Sequence, residues 1–218
     1  MKRYKWSIVI VLIQLALALY LGMQLSDEAR VPSHWNIKGE IDGYVGKWSG
    51  IFLFPALNGV ILLVFILLPL ISVRFQTAEA RFNKILPTFC FIMILFFAGI
   101  HIYSLLLALN VLSPQIKVIL ILLGLMVILL GNLLPKLPSN FFVGIRTPWT
   151  LSSEVVWRKT HRIGAICFIL SGLIMIFIPL LWRNSTTAII ITFILFFLLI
   201  FYSVLYSFLL FQKEKKEK

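Results

Sequence analysis

The sequence predicts an all-α integral membrane protein with six transmembrane helices and both termini in the cytoplasm. Three observations carry this reading. The 218 residues are 61% hydrophobic and have a mean hydropathy of +1.01, well above a soluble domain. Charge-free stretches cover 6–26, 48–73, 85–116, 118–135, 163–182 and 184–212, each near or above the roughly 20 residues a membrane-spanning helix needs. Lysine and arginine gather on alternate connections between them.

The first run, "KRYKWSIVIVLIQLALALYLGMQ", has the basic start of a signal peptide. Its apolar part exceeds an h-region of ~7–15 residues and no A-x-A site follows, so an uncleaved first helix is expected. No lipidation signal is apparent. Asn110, Ser113 and Pro114 interrupt the third run. A tight turn there divides it from the fourth, giving helices over about 86–109 and 115–134. Gly131-Asn132 is expected to end the fourth helix, with Pro135 and Pro138 preventing its continuation. A barrel is excluded because the runs are continuously apolar and do not alternate in period two. The chain then divides into an N-terminal module, 1–110, of three helices with an outer loop at 26–47. The second module, 111–218, has three helices and a cytoplasmic loop at 135–162.

If the runs alternate across the membrane, one side holds Lys2, Arg3, Lys5, Arg74, Arg81, Lys84, Lys136, Arg146, Arg158, Lys159, Arg162, Lys213, Lys215, Lys216 and Lys218. The other holds Arg30, Lys38, Lys47, Lys117 and Arg183. Lysine and arginine in short loops favour the cytoplasm, which puts both termini there. Trp6, Trp48 and Trp182 fall near the predicted interfaces. The net charge of +12 sits at segment ends, where anionic headgroups attract it. No contiguous basic surface of the kind nucleic acid needs is visible. Cys90 and Cys167 lie inside apolar runs and read as buried free thiols.

Two polar islands remain. The outer one, "SDEARVPSHWNIKGEIDGYVGK", is punctuated by Pro32, Gly39, Gly43 and Gly46, and Glu40 to Tyr44 read as a turn that returns to the membrane. Three readings are open. His34 with Glu40 or Asp42 is a metal pair without recognised ligand spacing. Trp35 and Tyr44 form a carbohydrate or peptide contact. The loop is a compact interfacial cap.

The inner island runs from Ser139 to Arg162. Phe141, Phe142, Val143, Ile145 and Trp149 are too apolar for an ordinary solvent loop, so it lies on or dips into the interface. Arg146 would sit at phosphate depth or in a buried pair, where a guanidinium makes bidentate contacts that lysine cannot. Ser152 or Ser153 suits an N-cap, with Glu154 in the first turn. Glu154, Trp157 and His161 share one helical face. Glu154 and His161 are on the order of 10 Å apart by helical rise, too far for direct acid–base coupling or a shared metal. A docking element and a plain interfacial connector both remain open.

Within the spans, polar residues are few: Gln14, Asn58 and His101. His101 is a functional candidate by position, against the alternative of a neutral imidazole bonded to a neighbouring helix. No paired broken helix or intramembrane acid points to a transporter. A transporter or membrane enzyme stays the competing class, with His101 its one ionisable group at depth.

The stretch "NFFVGIRTPWTLSSEVVWRKTHRIGA", with "GN" at 131–132, resembles the signature of the SdpI family. "VPSHWNIKGEIDGYVGK" resembles the extracytoplasmic module that often precedes it. Ala165 replaces the last glycine of the family's Arg-x-Gly-Gly, and Ser26 stands where a proline often follows the leucine. The resemblance implies a membrane immunity protein of Gram-positive bacteria that resists a secreted, membrane-active peptide toxin of the SDP type. It also implies signalling, in which the toxin-occupied protein holds a small DNA-binding autorepressor at the membrane. On this reading the cytoplasmic partner is met by Asn140, Gly144, Arg146, Thr147, Pro148, Trp149, Glu154, Trp157 and His161. The toxin is met by His34, Trp35, Asn36, Asp42 and Tyr44. The expected surroundings are the lipid bilayer of the cell membrane. No catalytic residue, metal, cofactor or direct nucleic-acid contact is expected.

Overall fold

A helix that is apolar on every side has no face suited to water, and the long helices here are of that kind. The structure, a computed structural model, describes residues 2–71, 79–182 and 185–217. Arg74, Arg183 and Lys218, which enter the charge asymmetry, lie outside the described residues. The helices are α1 (Lys5–Gly22), α2 (Lys47–Ile71), α3 (Glu79–Ala108), α4 (Ile116–Leu133), α5 (Pro148–Ser152), α6 (Glu154–Leu181) and α7 (Ser185–Lys216). All but α5 are long and apolar enough to span a bilayer, which makes six candidate spans. This is a multi-pass protein of the cell membrane.

The all-α expectation fails in the outer island. Strands β1 (Arg30–Trp35) and β2 (Ile41–Gly46) form an antiparallel hairpin, with Val31 opposite Val45 and Pro32 opposite Tyr44. The turn precedes Glu40 rather than following it. Asn36 Oδ1 accepts from the backbone N–H groups of Lys38 and Glu40, and Gly39 supplies a φ of +80°, which glycine adopts without a Cβ penalty. Residues 41–46 are therefore strand. Ile41, Tyr44 and Val45 do not alternate strictly with polar residues, so they carried too weak a strand signal beside such apolar neighbours.

The fourth helix ends where expected, within a residue of 134, although Gly131 and Asn132 do not themselves end it. Gly131 and Asn132 lie inside α4, and a 3₁₀ turn, Leu134–Lys136, follows it. Gly131 is there for packing: a Cβ on it would sit 2.7 Å from Phe168 Cβ on α6. One turn pair deeper, a Cβ on Gly124 would sit 2.6 Å from the Gly172 carbonyl, and one on Gly172 would sit 2.5 Å from the Gly124 carbonyl. Small residues of this kind let membrane helices approach closely where no hydrophobic drive separates helix from lipid.

α1, α2 and α3 pack on one another, α4 packs on α3 and α6, and α6 packs on α7. Inside the first group the three intramembrane polar residues meet. His101 Nε2 lies 2.9 Å from the Gly50 carbonyl, which can only accept, so Nε2 carries the proton. Nδ1 then accepts from Gln14 Nε2 at 3.1 Å. Asn58 Nδ2 donates to Gln14 Oε1 at 2.7 Å and to the Ile94 carbonyl at 3.1 Å. All three side chains are buried. The bonded-imidazole alternative for His101 is the one observed. Cys90 and Cys167 are buried free thiols.

The helix ends sort the islands. Tyr4 donates to the Phe65 carbonyl, and Phe65 packs against the clusters holding Cys90, Phe82 and Trp157. The start of α1, the start of α3 and residues 134–161 thus share one end of the bundle. The hairpin lies at the other, where Ser104 Oγ donates to the Pro32 carbonyl and Trp35 stacks on Tyr103.

Candidate functional site

The segment from Leu137 to Arg162 folds as a self-capped plug at the end of the bundle. Asn140 is fully buried and satisfied by four bonds. Its Nδ2 donates to the Pro138 and Val143 carbonyls, and its Oδ1 accepts from the N–H groups of Phe142 and Val143. That turn leaves Phe141 and Phe142 exposed, facing the interface that their chemistry demands.

The GIRTPWT run follows, and each position has a local reason. Gly144 has φ +112°, and a Cβ there would lie 2.4 Å from His161 Nε2. The N–H of Ile145 donates to His161 Nε2 at 3.1 Å. His161 Nδ1 lies 2.8 Å from the Trp157 carbonyl, so the ring carries its proton on Nδ1 and accepts at Nε2. This bond set needs the neutral imidazole. The Ile145 side chain fills the space left by Gly164, where a Cβ would meet Ile145 Cδ1. Arg146 is exposed and donates from Nη1 to the Phe141 carbonyl at 2.6 Å, so it closes the turn rather than entering a buried pair.

Thr147 and Thr150 form a reciprocal capping box around α5. Pro148 stands at N1, where its missing N–H costs nothing. The Thr147 hydroxyl also meets Ser207 Oγ on α7 at 3.2 Å. Trp149 is half-buried, edge-on to Phe208 with ring centroids 5.0 Å apart. Ser153, not Ser152, caps α6 through Val156 N–H and donates to Glu214 at 2.6 Å. The end of α7 is thereby held against the plug.

The shared face of Glu154, Trp157 and His161 is split by burial. Trp157 is 1% exposed and His161 0%, whereas Glu154 is exposed. Trp157 Nε1 donates to the Leu137 carbonyl at 2.8 Å, and its ring stacks on His161 at 4.0 Å. Neither Trp157 nor His161 offers a surface to a partner in this conformation. The surface of the plug includes Phe141, Phe142, Arg146, Pro148, part of Trp149, Ser152, Glu154, Val155, Arg158, Lys159 and Arg162. Sequence reasoning passed over Thr150 and Gly164, and it named Ile145 and Ser153 only as an apolar residue and a cap. The T-P-x-T capping pattern was the signal available for Thr150.

At the opposite end, His34 Nδ1 and Asp42 Oδ1 pair directly at 2.5 Å, while Asn36 Nδ2 donates to Glu40. These side chains satisfy each other, and among the described residues no three His, Cys, Asp or Glu side chains gather around a metal position. Tyr44 is 49% exposed. Trp35 is partly buried on Tyr103, its indole N–H buried without a hydrogen-bond acceptor. Lys47, itself buried, donates to the Leu25 carbonyl at 2.8 Å and pairs with Asp27 at 3.0 Å, pinning the base of the hairpin.

Comparison with known proteins bears on both ends. Residues 136–207, which contain the whole plug, match the SdpI/YfhL protein family. Residues 9–59, which contain the hairpin, match a domain of unknown function (DUF1648). Immunity protein SdpI of Bacillus subtilis (strain 168) is 26% identical over 184 residues, spanning 80% of each chain. The chain is similar to the SdpI/YfhL family over 136–207 and to this immunity protein along most of its length. The family region thus begins at the 3₁₀ turn after α4 and takes in α5, α6 and most of α7, the elements the plug ties together. No solved structure matches.

Proposed function

We propose that this protein gives its cell resistance to a secreted, membrane-active peptide toxin of the SDP type. The observation that carries the proposal is the likeness to a B. subtilis immunity protein across 80% of both chains, with hairpin and plug both inside the aligned families. Both ends of the described chain, the start of α3 and the plug face the cytoplasm, and the hairpin faces outward. Residues 1–110 and 111–218 act as two modules, outward sensing and inward reporting. The exposed edge formed by His34, Asn36, Asp42 and Tyr44, with Trp35 supporting it from behind, meets the toxin.

Signalling to a small DNA-binding autorepressor is the second half of the proposal. Arg146, Glu154 and the open edge of Trp149 would contact it. Asn140, Gly144, Thr147, Pro148, Trp157 and His161 would act by holding that surface in shape. Toxin binding can shift repressor affinity only if the two ligands prefer the same conformation. The test is membrane potential, read by a voltage-sensitive dye in sensitive Gram-positive cells challenged with an SDP-like peptide. Potential retained only in cells expressing the chain supports immunity. Equal collapse with and without it defeats the proposal.

A further inference from the structure

Five cations gather at the start of α1 and α3. Lys2, Arg3 and Lys5 open the first span, and Arg81 and Lys84 lie in the first two turns of α3. Among the described residues no ion pair holds any of them. Glu79 is the sole acid in residues 2–7 and 79–91. Between the two helix starts lies an open cavity of about 200 Å³, lined by Arg3, Trp6, Ser7, Pro87, Thr88 and Phe91.

The lining divides along the helix axis. Arg3 stands at the polar end of α1. Trp6 is one turn deeper and 63% exposed to the bundle's surroundings. On α3, Phe91 lies one turn deeper than Pro87 and Thr88. The cavity therefore offers a guanidinium and a hydroxyl at interface depth above an aromatic wall at hydrocarbon depth. Thr88 Oγ makes one long bond, 3.3 Å to the Lys84 carbonyl, and can turn toward a better acceptor. A phosphate bound to an acyl chain matches this order, since guanidinium donates two parallel bonds to phosphate oxygens.

We propose that this niche binds an anionic phospholipid, with Arg3 on its phosphate, Thr88 beside it and an acyl chain along Trp6 and Phe91. The surrounding cations favour a headgroup with net negative charge over a zwitterionic one. The site does not depend on the immunity reading, and the lipid would fix α1 against α3 beside Tyr4.

The test uses the full chain in detergent, titrated with phosphatidylglycerol and phosphatidylcholine and read by native mass spectrometry. Bound phosphatidylglycerol should exceed phosphatidylcholine, and Arg3→Gln should lower its affinity roughly tenfold, the loss expected for a charge-assisted bond. Lys213→Gln, at the far end of the chain, should leave it unchanged. Brominated phosphatidylglycerol should quench a fluorescence component that Trp6→Phe removes. Equal retention of both lipids, or unchanged retention in Arg3→Gln, overturns the proposal. So does displacement of the bound species by millimolar inorganic phosphate, which would mark a site for a soluble anion. Circular dichroism of each variant excludes misfolding as the cause of lost binding.

Discussion

His161 Nε2 lies 3.1 Å from the backbone nitrogen of Ile145, sixteen residues earlier in the chain. Gly144 makes that approach feasible, because any Cβ there would occupy the place of the imidazole nitrogen. The turn of the family segment thus rests on a glycine and a neutral histidine that fit together.

Gly144→Ala should therefore open the plug. The backbone strain of placing a side-chain residue at φ +112° is about 1–3 kcal/mol, and the collision with His161 adds to it. Amide hydrogen exchange over 140–150 should accelerate while α4 and α6 stay protected at mid-membrane. Unchanged exchange in this stretch would mean that the plug does not depend on the contact.

Trp157 tests packing against hydrogen bonding. Trp157→Phe keeps an aromatic ring beside His161 but strips the Leu137 carbonyl of its donor, a loss of about 1–3 kcal/mol for a buried acceptor. Trp157→Ala also empties the cluster of Ile85, Phe89, Leu133 and Ala165, at about 3–5 kcal/mol. Thermal unfolding in detergent should rank wild type above phenylalanine above alanine. Equal midpoints for the first two would show that the indole bond contributes nothing net.

Why the plug was half legible follows from which signals are local. Caps are local: a serine before an acid and an apolar run marks the start of α6, and Ser153 does cap it. Composition is local too, and it located six spans and both islands. Burial is not. Trp157 and Glu154 share a helical face by spacing, yet one is buried because Leu137 and His161 close over it. Gly131 followed by Asn132 has the look of a helix end, and only the presence of Phe168 on another helix shows why a glycine is needed inside α4. The hairpin was missed for a related reason: it rests on Ser104 and Tyr103, more than fifty residues away in the chain.

Gly124 and Gly172 fix the crossing of α4 and α6. Each backbone carbonyl occupies the space that the other glycine leaves, so a side chain on either forces the helices apart. Gly124→Leu should destabilise the detergent-solubilised protein by about 1–3 kcal/mol or more, the range for overpacking. A cysteine pair introduced across this crossing should cross-link in the wild-type background and fail to do so in Gly124→Leu. Cross-linking at equal rates would mean that the helices already stand further apart than the glycines imply.

The Gln14–Asn58–His101 chain makes the sharpest energetic prediction, because its bond directions are fixed from one end. The Gly50 carbonyl sets the His101 tautomer, which sets the Gln14 amide, which sets Asn58. Gln14→Leu alone leaves both an imidazole acceptor and an amide donor unpaired in hydrocarbon, and Asn58→Leu leaves Gln14 Oε1 without its donor. The double variant removes the conflict between them. A double-mutant cycle on Gln14 and Asn58 should therefore give a favourable coupling of about 0.6 kcal/mol, with about 1.7 kcal/mol as the upper end for bonds of this kind in membranes. The quantity to measure is unfolding free energy in mixed micelles for all four proteins. Strict additivity of the two substitutions would show that the amides do not hold each other and that α1 and α2 are joined by packing alone.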